Sequence, residues 1–360
     1  MYSEQDLESA IAAGVLTPSA AQALRAHVET TRAAPAADEE SFRLLTGFND
    51  IFVTIAAGIL LFAVAWIGYT IPPHLEGKGP TPFMGAFVAA TAWLLAEYFT
   101  RQRRMALPSI ILLLAFTGGV FMTSMVIGGL IIGEQQFGNN VAPVAWLGAF
   151  SAGVAGVATW LHWRRFMVPI TVAAGTATVV GGVIGLILAS FGGTHPSENL
   201  VMALVLAAGL AVFAFAMRWD GSDRSRQTRR SDVAFWLHLL AAPMIAHPVF
   251  QLLGITRGDS ISLGTGLLVI GIYVGFGIVA LAVDRRALLV SALAYVLYAL
   301  TELFRQFGAV ELNVALTAFV IGSALLLLSA FWGQARRLVV ERLPETVRLR
   351  LPLTVRPAST

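Results

Sequence analysis

Long apolar runs fill most of this 360-residue chain, and arginine clusters recur in every second connection between the runs. A transmembrane helix needs about 20 predominantly apolar residues, which is the length of these runs. Short connections that retain Lys and Arg usually stay on the cytoplasmic side of a membrane. The pattern therefore predicts a bundle of membrane-spanning helices whose orientation is set by the arginines.

The sequence predicts an all-α integral membrane protein with about ten transmembrane helices. With the N-terminus inside, 21 of the 24 Lys and Arg residues fall in cytoplasmic segments and three in outer connections. This asymmetry favours an even number of crossings with both termini cytoplasmic. The predicted spans are residues 48–71, 80–100, 105–133, 141–161, 166–191, 197–219, 232–253, 261–283, 287–307 and 309–333.

Composition supports lipid as the solvent of this fold. Hydrophobic residues make up 57% of the chain and charged residues 12%, whereas a soluble domain carries about 25% charged residues. The arginines lie beside apolar spans, which indicates contact with anionic lipid headgroups and not with nucleic acid. The expected partner is the lipid bilayer, and a cytoplasmic protein or a second copy of the chain is a further candidate.

The first residues predict a small cytoplasmic helical hairpin with an apolar stripe formed by Leu7, Ile11 and Leu24. Gly14 breaks the first helix, and Thr17 caps the second. An Ala-rich, Pro-containing and acidic segment follows and reads as a linker. The expected organisation is a hairpin at 1–31, a linker at 32–47, a polytopic domain at 48–333 and a cytoplasmic tail at 334–360.

The seventh span contains the most unusual polar groups, namely His238, His247 and Gln251 beside Pro243 and Pro248. Each proline removes a backbone donor, and irregular backbone at membrane depth survives only against protein or a wet cavity. His247 and Gln251 share a helix face, whereas His238 lies on the opposite face, so an unbroken helix cannot bring both histidines to one metal. His247 is either a hydrogen-bonded residue of the bundle or a pH-sensitive or substrate-contacting residue.

The ninth span carries a polar stripe in which Tyr298, Glu302 and Arg305 follow Tyr295 at helical spacing. Ionisable residues inside a membrane mark functional sites by default. Glu302 and Arg305 form either a structural pair at the outer end or part of a stripe that faces an outward-open cavity.

Small residues at helical spacing predict close approach of helices. Packing of the bundle, dimerisation and sliding of gating helices are the three interpretations of this pattern. The candidate packing residues are Gly129, Gly133, Gly181, Gly185, Gly271 and Gly275.

The two opening segments AGVLTPSAAQALRAHV and SFRLLTGFNDIFVTIAAGILL, with an acidic linker between them, resemble the uncharacterised bacterial membrane proteins grouped as domain of unknown function 2157. In that family a short cytoplasmic helical hairpin precedes a polytopic region. The resemblance covers roughly the first 70 residues. It implies a multi-pass protein of the bacterial inner membrane, and its motifs are not catalytic.

The sequence contains no cysteine and no recognisable motif for metal-dependent hydrolysis, phosphate binding or a catalytic nucleophile. We therefore predict no catalytic residue, no metal site and no cofactor. The favoured function is a small-solute transporter or permease in which spans seven and nine line a path. The alternative is a non-transporting scaffold or sensor that recruits a partner through the hairpin, and an intramembrane enzyme is a third reading.

Overall fold

The structure is a computed structural model that describes residues 9–24, 48–133, 141–191, 196–224, 226, 228–254, 262–306 and 313–353. Every regular element in these residues is a helix, which confirms the predicted all-α class. The helices are α1 (Phe48–Tyr69), α2 (Pro82–Ala96), α3 (Ala106–Ile132), α4 (Val141–Phe166), α5 (Ile170–Ala189), α6 (Glu198–Ser222), α7 (Arg229–Leu252), α8 (Leu263–Val283), α9 (Ala287–Gln306), α10 (Asn313–Ala330), α11 (Trp332–Glu341) and α12 (Glu345–Arg348).

Nine of the helices in the described part of the chain, α1 to α9, are long and apolar enough to cross a membrane. Each overlaps one of the first nine predicted spans, because the thickness of the bilayer sets the length of apolar sequence that a spanning helix needs. A π-helical turn, Glu97–Gln102, extends α2 towards its arginine cluster. The chain is therefore a multi-pass helical membrane protein.

The tenth predicted span is bent. α10 and α11 meet at an angle of 76°, so the described helices give nine spans, or ten if this pair counts as one. The indole nitrogen of Trp332 donates to a carboxylate oxygen of Asp284 at 2.7 Å, and Asp284 lies in the connection between α8 and α9. α10 contains 18 residues, which is about 27 Å of helix.

α7 is the most enclosed of the nine spans. In its most apolar stretch of 18 residues, 56% is buried, against 11–33% in the corresponding stretches of the other eight spans. It packs against α5, α6 and α9. This position makes α7 the central helix of the second half of the bundle.

The two prolines of α7 do not interrupt it, contrary to the expectation of irregular backbone. Pro248 leaves the carbonyl of Met244 without its helical donor. The α6 backbone lies against that carbonyl, since a Cβ added to Gly209 would be 2.9 Å from the Met244 oxygen. The neighbouring helix α6 therefore covers the position where Pro248 removes a backbone hydrogen bond of α7.

The α2 and α3 backbones approach each other closely at two glycines that the sequence analysis did not single out. A Cβ on Gly85 would lie 2.5 Å from the Gly119 oxygen, and a Cβ on Gly119 would lie 2.6 Å from the Gly85 oxygen. Neither position accepts a side chain without moving a helix.

The glycines predicted to pack helices lie in different surroundings. A Cβ on Gly185 would lie 3.2 Å from the Ala145 oxygen of α4, and Gly129 is buried within α3. Within the described residues, nothing lies within 4 Å of a Cβ added at Gly133, Gly181, Gly271 or Gly275.

The hairpin residues form helices over 9–12 and 18–24. Gly14 has a φ of 69° between them, and the Thr17 hydroxyl accepts from the amide of Ala20 at 3.2 Å. The predicted helix break and cap are thus confirmed, while Leu7 of the predicted stripe lies outside the described residues. The chain divides into two compact units. The hairpin belongs to one of them, and the membrane-spanning helices belong to the other, Arg43–Thr354.

Candidate functional site

A buried carboxylate lies where the α6–α7 and α8–α9 connections meet α11, which we call the arginine-rich end. Asp220, in the last turn of α6, is fully buried. The Arg285 guanidinium donates to Asp220 Oδ1 at 2.7 Å, and Nε2 of His238 lies 2.9 Å from Oδ2. These three side chains, the ionic triad, are each no more than 6% exposed.

Arg285 joins three parts of the fold. Besides Asp220 on α6, it donates to the carbonyl of Ser231 at 3.1 Å, in the first turns of α7. Its guanidinium also lies over the ring of Phe235, 5.8 Å from the centroid. A buried charge costs several kcal/mol unless it is paired, so the triad is favourable only while α6, α7 and the α8–α9 connection stay together.

A second ionic group, the Asp284 cluster, adjoins the triad. Arg226 donates to Asp284 Oδ2 at 2.6 Å, Trp332 donates to Oδ1, and Arg336 Nε lies 3.6 Å from Oδ1. Burial and the neighbouring Arg285 lower the pKa of Arg226, and the adjacent carboxylates oppose this shift. Asp284 ends α8 with a φ of 61°, a left-handed conformation that Asp adopts more readily than most residues.

The residues after α11 close over this end. Arg336 donates to the carbonyl of Pro352 at 2.9 Å, and Arg224 donates to the carbonyl of Leu351 at 2.9 Å. Leu351 also packs with Val283 and Val340 in an apolar cluster. The chain up to residue 353 therefore forms part of the seal at the arginine-rich end.

The far half of α7 presents polar groups to the surface. His247 and Gln251 lie about 24–30 Å along the helix from Ser231. His247 is exposed and hydrogen-bonds through Nδ1 to the Tyr295 hydroxyl. The Gln251 amide donates to the exposed carboxylate of Glu198, at the start of α6. Both pairs join α7 to a neighbouring helix at the end opposite the triad.

The polar stripe of α9 is only partly linked to α7. Tyr295 contacts His247 and stacks on Phe250 with ring centroids 4.5 Å apart. Further along, Glu302 and Arg305 lie 3.6 Å apart, with exposed side-chain fractions of 13% and 60%. Tyr298 is 43% exposed. The stripe thus joins the α7 site through Tyr295, and its C-terminal part carries an ion pair between the largely buried Glu302 and the exposed Arg305.

The two histidines of α7 have separate partners, as their opposite helix faces predict. His238 meets a carboxylate and a guanidinium, whereas His247 meets a phenol. In the described residues, no group of three His, Asp or Glu side chains is arranged to hold a metal ion. What the geometry can do is make or break ionic and hydrogen-bonding contacts around one central helix.

No family model, curated protein or solved structure matches this chain. The family resemblance of the opening 70 residues stays a prediction, and function follows only from the chemistry of the two ends of α7.

Proposed function

We propose that this chain is a small-solute permease of the bacterial inner membrane, with ten crossings and both termini in the cytoplasm. α7 is its central helix and has a gate at each end. The observation that carries the proposal is the asymmetry of α7: buried ion pairs seal its arginine-rich end, and exposed polar pairs occupy its other end. This is the arrangement expected of a carrier that is closed to the cytoplasm.

The contacts of α11 support the even number of crossings. Asp284 lies just before α9, at the arginine-rich end. Trp332 and Arg336 follow α10 and bind Asp284, so α9 leads away from this end and α10 leads back to it. α10 is about 27 Å long, close to the roughly 30 Å of a hydrocarbon core. With the arginine-rich end in the cytoplasm, the positive-inside rule is also satisfied.

Gating follows from the energetics of the two ends. Opening the arginine-rich end separates Asp220 from Arg285, and water entering the gap solvates both charges. At the other end His247 and Gln251 exchange Tyr295 and Glu198 for the polar groups of a solute. Alternating access of this kind moves helices around a fixed site, and the solute is a small polar molecule because the site offers an imidazole, an amide and a carboxylate.

Uptake measurements test the proposal directly. We expect liposomes that contain the full chain to accumulate radiolabelled solute in counterflow, with amino acids, sugars and small carboxylates tried as separate mixtures. His247→Ala is expected to abolish the signal, because it removes the group shared by α7 and α9. A Leu239→Ala control on the exposed face of α7 retains it. Uptake no greater than that of empty liposomes with all three mixtures would refute the permease.

Cysteine labelling tests the gate, because the natural chain contains no cysteine. Ala241, buried at 0% exposure on α7, is expected to be protected as Ala241→Cys from a membrane-impermeant maleimide on the cytoplasmic side. Adding Arg285→Gln removes the charged partner of Asp220 and should raise the labelling rate at least about tenfold, the effect of roughly 1.4 kcal/mol on the opening equilibrium.

The matched control is Leu239→Cys, whose labelling is expected to be the same with and without Arg285→Gln. Monodispersity on size-exclusion chromatography shows that the variants are folded. A rigid scaffold is the alternative, and it is supported by the 38% exposed Leu24 of the predicted hairpin stripe. It predicts instead that Ala241→Cys stays protected in both backgrounds.

A further inference from the structure

A cleft of about 120 Å³ lies between α8, α9 and α10, beside the start of α11. Its inner lining is aliphatic and includes Leu289, Leu293 and Leu325. At the arginine-rich end its lining includes Arg286 and the buried Trp332, with the guanidinium 4.7 Å from the centroid of the indole ring. The cleft is separate from the ionic triad and from the polar pairs of α7.

Both walls of the cleft change from polar to aliphatic in the same direction. Leu293 is the seventh residue of α9, and Leu325 lies five residues before the end of α10 at Ala330, so the leucines extend about 8–9 Å from the end of the cleft that holds Arg286 and Trp332. A dry aliphatic cavity disfavours water and accepts hydrocarbon. A cation at one end and hydrocarbon at the other match the polarity of one phospholipid chain with its headgroup.

We infer that this cleft binds one anionic phospholipid from the adjoining leaflet, with its phosphate on Arg286 and one acyl chain along the leucines. Arginine binds phosphate oxygens through two parallel donors. Basic pockets between transmembrane helices on the cytoplasmic side recognise anionic headgroups, and tryptophan favours the depth of the headgroups. The lipid is a structural ligand, distinct from the transported solute.

Lipid binding is expected to reach the Asp284 cluster through Trp332. One face of this side chain borders the cleft, and its indole nitrogen donates to Asp284 at 2.7 Å. A lipid held on Arg286 therefore stabilises the bend between α10 and α11. Thermal stability is a readout of occupancy that does not depend on transport.

Native mass spectrometry of the full chain in a neutral maltoside detergent, titrated with dioleoyl phosphatidylglycerol, tests the inference. We expect one tightly retained lipid and a higher melting temperature. Arg286→Gln and the cleft-filling Leu325→Phe should each weaken binding at least about tenfold, since one removes a charge-assisted contact and the other fills the space for the chain. Dioleoyl phosphatidylcholine should bind about tenfold more weakly.

Two matched controls are expected to bind phosphatidylglycerol as the natural chain does. Arg337→Gln removes an exposed arginine of α11, and Leu326→Phe enlarges the neighbouring side chain, which is 73% exposed. Equal loss in Arg337→Gln and Arg286→Gln would mean diffuse charge attraction and would overturn the site. Inorganic phosphate that stabilises as much as the lipid, or a dimer in which a second copy fills the cleft, would overturn it as well.

Discussion

Replacing Asp220 with alanine is expected to lower the free energy of unfolding by about 3–5 kcal/mol, the usual effect of breaking a buried ion pair. Asp220 is fully buried and accepts from Arg285 at 2.7 Å. Without it, Arg285 is a buried cation that has lost its hydrogen-bonded carboxylate, and Asp232 offers only a weaker electrostatic interaction. Unfolding of the purified chain by dodecyl sulfate in mixed micelles measures the change.

The double variant Asp220→Leu with Arg285→Met is the informative companion. Replacing both members of a buried pair by apolar residues of similar size is often neutral or stabilising, so it should recover most of the lost stability. The same variant is expected to transport poorly. When water enters an apolar seal there are no charges for it to solvate, so opening is not compensated by solvation free energy. The double variant therefore distinguishes the effect of the pair on stability from its effect on gating. A double variant as unstable as Asp220→Ala would contradict the expectation that apolar residues can replace the pair.

An exposed ion pair is the matched control. Glu97 pairs with Arg101, four residues later, at 3.3 Å and also with Arg165 at 2.7 Å. All three side chains remain substantially exposed, so solvent already screens the charges. Glu97→Gln is expected to leave the unfolding curve nearly unchanged. An effect equal to that of Asp220→Ala would show that burial is not what makes the triad important.

The sequence was sufficient to predict the nine clear spans, because apolar length alone decides whether a helix can cross. It was not sufficient for the bend after α10. The apolar sequence continues without a break through Ala330 and Phe331. The bend between α10 and α11 is associated with contacts of Trp332 and Arg336 to Asp284, about 50 residues earlier in the chain. Contacts between distant residues are not encoded in the periodicity of a single run.

The triad was missed for a related reason. His238 was conspicuous as a polar residue inside an apolar run, but its partners lie 18 and 47 residues away, at the ends of other helices. A charge at a helix end normally faces water or headgroups, so Arg285 indicates only topology as one of the clustered arginines, and Asp220 does not stand out in the sequence. Their burial depends on contacts between α6, α7 and the α8–α9 connection, which the pattern of one apolar run does not contain.

The glycine pattern shows a similar limit. Gly181 and Gly185 share one face of α5, yet only Gly185 meets the backbone of α4. Gly85 with Ala89, and Ala115 with Gly119, are also pairs of small residues four apart, yet nothing in the sequence pattern marks them as a closer contact than the predicted glycines. Spacing identifies a face on which another helix could approach, whereas the crossing angle determines which glycine of that face is in contact.

Replacing Asp284 with glycine is expected to release the chain from α11 to residue 353 and to raise the rate of trypsin cleavage after Arg336 and Arg337 about a hundredfold. The carboxylate binds Arg226, Trp332 and Arg336, and loss of about 3 kcal/mol from such a group populates the locally open state by that factor. Limited proteolysis of the folded chain, followed by mass spectrometry, measures the rate. Glycine accepts the φ of 61° found at this position, so backbone strain cannot be the cause.

Asp284→Asn separates charge from hydrogen bonding. Asparagine also tolerates the left-handed conformation and keeps an oxygen for the Trp332 indole, but it does not neutralise Arg226 and Arg336. We expect an intermediate cleavage rate, with the span helices still intact. If both variants are cut no faster than the natural chain, the packing of Val340 and Leu351 against Val283 holds the segment by itself. If Asp220→Ala releases the segment equally, the triad and the Asp284 cluster form one cooperative seal, and opening the proposed gate at this end must also move the tail.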